Sequence, residues 1–279
     1  MKWPFDLIIE RIMKMKNLLI LPFTISALLF LGSCDKNGNV NFLTVEDDKK
    51  LGLQVSKQIE ATPVDYPLLS EADYASSYTY LRALTDKILN SGKLSYRNEF
   101  AWQVKIIKDD NTLNAFCTPG GYIYVYTGLI KYLDTEDQLA GVLGHEIAHA
   151  DLRHTSRQMT KDQGYSTLIQ VITGKSDPGT LATIALNLKN LANSREYESE
   201  ADAKSVEYLA STSYACNGAA GFFEKMIANG SASNQPQWLS THPNPDNRVA
   251  AINTKADQVG CNKTPSNPPA YVTFKAGLP

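Results

Sequence analysis

Three residues in the run Gly144-His145-Glu146-Ile147-Ala148-His149 have the types and spacing for metal-assisted hydrolysis. On a helix of 3.6 residues per turn, side chains four apart lie about 40° from one another, so His145 and His149 share a side and reach one cation. Glu146 lies beside them, on the wrong bearing for a third ligand but close enough to take a proton from a metal-bound water. The chain has only 4 histidines, so this spacing around a glutamate is hard to assign to an ordinary helix. His154 is nine residues from His145, about 180° around a continuous helix, and is expected to be structural or at the surface.

A catalytic zinc needs a third protein ligand and keeps the fourth position for water. The candidates lie in Arg195-Glu196-Tyr197-Glu198-Ser199-Glu200-Ala201-Asp202. Glu200 shares a helical stripe with Asn193, Glu196, Lys204 and Glu207, the side that faces water. Glu198 shares its stripe with Leu191, Ala201 and Leu209 and points toward the core. A buried carboxylate without a partner is very costly, and a cation supplies one. The stripe argument therefore selects Glu198 over Glu200. Asp202, one turn on, is placed to accept the spare N–H of a ligand histidine and fix its tautomer.

Several elements must hold these groups. Asp134 and Thr135 ahead of Asp137 and Gln138 have N-cap chemistry, and Leu139, Val142, Leu143 and Ile147 recur at helical spacing. Gly141 and Gly144 are poor helix formers whose use is to let another backbone or a substrate come close. Amphipathic helices are predicted over residues 45–59 and 71–89. Three strands are predicted over 100–107, 112–117 and 122–126, the last entered through the turn Pro119-Gly120-Gly121, with Ile123 and Val125 opposite Tyr122, Tyr124 and Tyr126. A small sheet of this kind binds an extended peptide by strand addition, with Asn114, Ala115, Phe116 and Cys117 as the substrate strand. The apolar stretches 165–173 and 181–191 are split by a Gly-, Ser- and Pro-containing turn, and neither half is long enough to cross a bilayer. They read as core helices, or as a hairpin that touches a membrane surface. A long helix is expected from about 179 to 210, a further helical piece over 222–227, and a Pro-rich tail beyond Lys263. The fold class is α+β, mainly helical, with a small sheet beside the helix that carries the histidines.

With 279 residues, 43% of them hydrophobic, the chain builds a sizeable core, and its formal charge of -2 gives no nucleic-acid surface. Residues 18–32 form an apolar run containing Pro22, preceded by Lys14 and Lys16. The run is short for a span of about 20 residues and has the shape of a signal-peptide core. It ends in Leu31-Gly32-Ser33-Cys34, which resembles a lipobox. Residues 1–33 therefore read as a lipoprotein leader, with Cys34 the lipidated residue and 34–44 a tether; an uncleaved anchor is the alternative. Asp6 and Glu10 are unusual in a leader, so Met13 or Met15 are alternative starts. The mature protein would stand outside the cytoplasm, tied to a membrane by lipid. In that compartment Cys216 and Cys261 either form a disulfide or remain thiols, and Cys117, inside an apolar strand, is expected to be a buried thiol.

These residues resemble peptidase family M48, a gluzincin family that includes the CAAX prenyl protease, HtpX and periplasmic lipoprotein relatives such as LoiP and BepA. The likeness runs from about residue 45 to 252. It is specific at Asn114-Ala115-Phe116 with its Gly-Gly strand, at the His145 to His149 run, at Glu198 with Asp202, and at His242-Pro243 with Arg248. The resemblance implies a zincin-like domain over 45–262, followed by the tail 263–279, with one zinc per chain and Glu198 as third ligand. It also implies that His242 and Arg248 sit over the metal, either stabilising the tetrahedral intermediate or, in some relatives, gating the zinc. Cys117 departs from the family by standing where a small residue is usual. With no membrane helices and no repeat domain, the chain is closest in kind to the lipoprotein branch. The expected activity is a zinc endopeptidase of the bacterial cell envelope that cleaves misfolded or unassembled proteins. The competing expectation is a chaperone-like envelope lipoprotein whose zinc is gated or structural. An exopeptidase would need a charged group to read a substrate terminus, and none is identifiable.

Overall fold

The structure is a computed structural model and describes residues 33–34, 40–229, 237–242 and 247–279. Residues 1–32 of the expected leader 1–33, residues 35–39 of the expected tether, the side chain of Cys34, and Pro243 lie outside the described residues. The site and its scaffold all fall within Asn41–Pro279.

Three strands form one mixed sheet: β1 (Gln103–Ile107), β2 (Ala115–Thr118) and β3 (Tyr122–Tyr126). Their order is β1-β3-β2; β3 runs parallel to β1 and antiparallel to β2, with Ala115 opposite Val125 and Cys117 opposite Ile123. The reversal between β2 and β3 uses Gly120 and Gly121, whose φ values of 74° and 86° would strain any side chain. Side chains alternate across a strand. Ile123 and Val125 accordingly enter the main core, while Tyr122, Tyr124 and Tyr126 enter a second cluster. Both faces of β3 are buried, which its alternation of aliphatic and aromatic residues requires.

Helix α1 (Val45–Glu60) packs Leu51, Val55 and Ile59 against the tyrosine face. Its N-terminus has a full capping box, Thr44 accepting from Asp47 N and the Asp47 carboxylate accepting from Thr44 N. Helix α2 (Ala75–Leu89) and helix α3 (Thr127–Tyr132) line the other side of the sheet. Next comes α4 (Glu136–Asp151), started by Thr135 accepting from Gln138 N and buried at every position from Leu139 to Asp151. A helix apolar or buried all round must be surrounded, and α4 is, by β2, α2 and three later helices.

Helix α5 (His154–Gln163) follows α4 after a break, and α6 (Tyr165–Ile172) and α7 (Pro178–Asn187) complete the second cluster with Leu168, Val171 and Ile184. Each of the split apolar stretches packs one face of a helix into this cluster, and among the described residues no helix is long and apolar enough to cross a membrane. The single helix expected from 179 to 210 is two. A 3-10 turn at Leu188–Asn190 and an extended Leu191 end the first. The second, α8 (Arg195–Leu209), starts where Ser194 accepts from Tyr197 N. A serine N-cap outcompetes the helix here, and apolar spacing through Leu188 and Leu191 conceals the interruption.

Helix α9 (Gly218–Ala228) crosses α4 at backbone contact. A Cβ on Gly141 would stand 2.1 Å from Ala219 N, and one on Gly218 would stand 1.9 Å from the Asp137 carbonyl oxygen. At Gly144 the neighbour is α8, where a Cβ would lie 2.6 Å from Ser205 Oγ. These glycines seat α8 and α9 against α4. Helix α10 (Gln237–Thr241) and helix α11 (Arg248–Val259) come next. The tail expected beyond Lys263 is instead folded over its second half as α12 (Pro269–Ala276). Tyr271 and Phe274 on one face of this helix, and Leu278 just beyond its end, are buried in the main core, with Phe274 stacked on Tyr80. Cys216 and Cys261 form a disulfide, and Cys117 is a buried thiol.

Candidate active site

Helix α4 brings the Nε2 atoms of His145 and His149 to 2.9 Å from one another. Glu198, on α8, reaches both, with Oε2 3.2 Å from His145 Nε2 and Oε1 3.2 Å from His149 Nε2. The His242 Nδ1 atom stands 3.1 Å from Glu198 Oε1 and 3.3 Å from His145 Nε2. One donor atom from each of His145, His149, Glu198 and His242 lies within 4.8 Å of every other, and all four residues are buried. Such nitrogen and carboxylate donors suit a divalent zinc. The convergence of three imidazole nitrogens and a carboxylate on one buried point fits a cation.

The outward nitrogens are also held. His145 Nδ1 is 2.9 Å from Asp202 Oδ1. Asp202 in turn accepts a two-pronged contact from Arg248, 2.6 Å from Nε and 2.8 Å from Nη2. Arg248 Nη2 also lies 3.0 Å from Glu198 Oε2, and its guanidinium sits 4.1 Å over the Phe223 ring. Arg248 therefore braces two carboxylates from behind. The fixed fork of a guanidinium is suited to that role.

These neighbours set the charge states within the cluster. Burial pushes the His145 imidazole down, but Glu198 and Asp202 outweigh it and raise it to about 9. Burial would raise Glu198, yet the charges of His242, His149 and His145 hold it well below the usual carboxylate range. His149 is lowered by burial. Asp202, which burial would raise, is kept low by Arg248 and His145.

Glu146 Oε1 is buried with no hydrogen-bond partner and lies 3.4 Å from His242 Nε2. An unpartnered carboxylate oxygen beside a ligand cluster is suited to take a proton from a water there. The free edge of β2 is faced by α10. Trp238 N donates to the Leu113 carbonyl at 3.1 Å, Thr241 Oγ1 lies 3.3 Å from Asn114 Oδ1, and His242 Nε2 is 3.5 Å from the Ala115 carbonyl. Phe116 turns to the tyrosine cluster, stacked on Tyr124. Cys117 Sγ rests 3.3 Å from Thr155 Oγ1, and burial pushes its thiol well above the usual range.

Glu200 lies away from the ligand cluster, its side chain one-third exposed, with Oε2 2.9 Å from His154 Nε2. His154 itself is buried, and its Nδ1 is 3.0 Å from His149 Nδ1. This contact arises because the helix is not continuous. Arg153 takes φ 59°, a left-handed value uncommon for a residue with a side chain, and α5 restarts in a new phase. The Arg153 guanidinium anchors that break through the Asp48 carboxylate and the Leu43 carbonyl, both at 2.5 Å. Trp238 is a second neighbour that sequence spacing does not signal; it stacks on His242.

A buried helix offering two imidazoles, met by a carboxylate from a second helix and flanked by a small sheet, defines a zincin-like metallopeptidase domain. The chain belongs to peptidase family M48, whose profile matches residues 75–256. It is 33% identical over 149 residues to the mitochondrial metalloendopeptidase OMA1 of Arabidopsis thaliana, covering 53% of this chain and 30% of that protein. It is 27% identical over 215 residues to the OMA1 of Schizosaccharomyces pombe, covering 76% and 62% respectively. It is 26% identical over 240 residues to the β-barrel assembly-enhancing protease of Yersinia pestis, covering 81% and 47%. The matched stretches thus span roughly a third to three-fifths of these relatives' lengths.

Proposed function

We propose that this chain is a zinc-dependent endopeptidase of the bacterial cell envelope, held to a membrane through lipid on Cys34, that cleaves misfolded or unassembled proteins. The observation that carries the reading is the convergence of His145, His149 and Glu198 on one point beside the unpartnered Glu146 Oε1. Those three residues would hold one zinc ion, which when bound polarises the scissile carbonyl and acidifies a water. Glu146 takes the water proton and later delivers it to the leaving amine. Asp202 holds His145 through Nδ1, and Arg248 fixes both Asp202 and Glu198. The substrate lies extended along Asn114, Ala115, Phe116 and Cys117, its backbone pairing with the edge of β2. The likeness to a β-barrel assembly-enhancing protease of Yersinia pestis favours proteins on their way to assembly as the substrates. Glu146→Gln tests the chemistry: zinc stays bound, and cleavage of an unfolded protein such as casein is lost. Turnover retained in that variant would overturn the reading.

A second reading concerns His242. Its Nδ1 atom lies among the ligand atoms, in the place a fourth ligand would take, which favours a gated resting site over direct stabilisation of the oxyanion. His242→Ala separates the two, since removing a gate raises casein cleavage and removing an oxyanion donor lowers it about 100-fold or more. A chaperone-like role predicts that chelated wild type still suppresses aggregation of an unfolded protein while cleaving none.

A further inference from the structure

Each of the two paired imidazoles on α4 carries its own support, and the two supports differ. His145 leans on a carboxylate, Asp202. His149 leans on another imidazole, His154, which leans in turn on Glu200. We propose that His154 is a positioning residue for the metal: it fixes the tautomer and the ring plane of His149, and Glu200 fixes His154. This rests on the zinc reading above.

The argument is one of proton placement. For His149 to present Nε2 as a ligand, its single proton must reside on Nδ1. That N–H then needs an acceptor, and the atom 3.0 Å away is His154 Nδ1. To accept there, His154 must carry its own proton on Nε2, where Glu200 Oε2 accepts at 2.9 Å. The carboxylate thus selects the tautomer of the outer ring, and the outer ring selects that of the inner one. Both rings remain neutral, which suits their burial. The plane of the outer ring is fixed independently: Tyr197 stacks on His154 with centroids 4.3 Å apart and planes 5° apart. The Arg157 guanidinium lies 4.9 Å from the centroid of the Tyr197 ring. The chain of contacts ends at the water side, where the Glu200 side chain is 33% exposed. Glu198, Glu200 and Asp202 share α8, so one helix supplies a ligand and a supporting carboxylate on the side of each histidine.

Zinc affinity, read by competition with a chromogenic chelator, tests this on the full chain. His154→Phe keeps the ring and its stack but removes the acceptor, and is expected to weaken zinc binding about 10- to 100-fold. His154→Asn places an acceptor where Nδ1 stood and is expected to restore most of that loss. Melting of the chelated protein should be similar in both variants. Unchanged affinity in His154→Phe overturns the proposal. So does equal weakening in both variants with an equal fall in the chelated melting temperature, which marks a merely structural ring. Long-range ¹⁵N spectra of zinc-loaded wild type add a readout independent of substitution: protons on His149 Nδ1 and His154 Nε2 support the relay, and a proton on His154 Nδ1 overturns it. Wild type that binds no zinc at all would instead sink the metal reading itself.

Discussion

The Trp238 indole lies nearly flat on the His242 imidazole, with ring centroids 4.1 Å apart and planes 19° from parallel. Tryptophan emission is therefore coupled to whatever moves or charges that imidazole. Zinc titrated into chelated protein should change the emission of wild type. Trp238→Phe should abolish the change, because Trp102, the other described tryptophan, packs against Phe100. An identical response in both proteins would show that His242 does not register the ion.

Arg248 is the one arginine or lysine that touches both Glu198 and Asp202 among the described residues, and all three are buried. Replacing it with Met keeps bulk over Phe223 but takes the permanent positive charge away from two buried carboxylates. Breaking a buried pair in this way costs about 3–5 kcal/mol. Zinc would compensate Glu198, so the fall in melting temperature of Arg248→Met should be larger in chelated than in zinc-loaded protein. A loss of equal size in both states would remove Arg248 from the electrostatics of the cluster.

Asp48 gives a pH signature away from the metal. Burial raises its carboxyl from 3.8 to about 6, with the Arg153 guanidinium and Ser156 pulling the other way. The folded chain then keeps a proton that the unfolded chain has released between about pH 4 and 6, so stability from this group is present below that window and lost as pH rises through it. Asp48→Asn cannot titrate and lacks this slope. The stability of wild type relative to Asp48→Asn should therefore fall by up to about 3 kcal/mol between pH 4 and 7, read as paired melting curves. A wild-type advantage that grows over this range would contradict the assigned burial effect.

Much of the site can be read from the chain alone, for reasons tied to particular residues. His145, Glu146 and His149 are legible because they share one unbroken helix, where spacing fixes bearing. Glu198 is legible because Leu191, Ala201 and Leu209 mark its side of α8 as buried, although Leu191 itself proves to stand outside that helix. The two faces of β3 follow from strict alternation. His154 is illegible, since periodicity assumes a continuous helix and Arg153 resets it through contacts to Asp48 and Leu43, more than a hundred residues away. The break before Ser194 is hidden for a related reason: a cap and an extended residue leave no mark in apolar spacing. Helix α12 is hidden by its prolines, of which Pro269 opens the helix, where a missing N–H costs nothing. Pairing of Cys216 with Cys261 is a matter of tertiary approach, and two cysteines 45 residues apart carry no geometry of their own.

Helix α10 carries a consequence for access. Its five residues and the histidine that follows hold two positions at once: Trp238 is bonded to Leu113 at the margin of the sheet, and His242 stands among the donors. A guest polypeptide seeking that margin meets the same short segment that crowds the ion. Were this segment to move, the sheet margin and the donor cluster would be uncovered together.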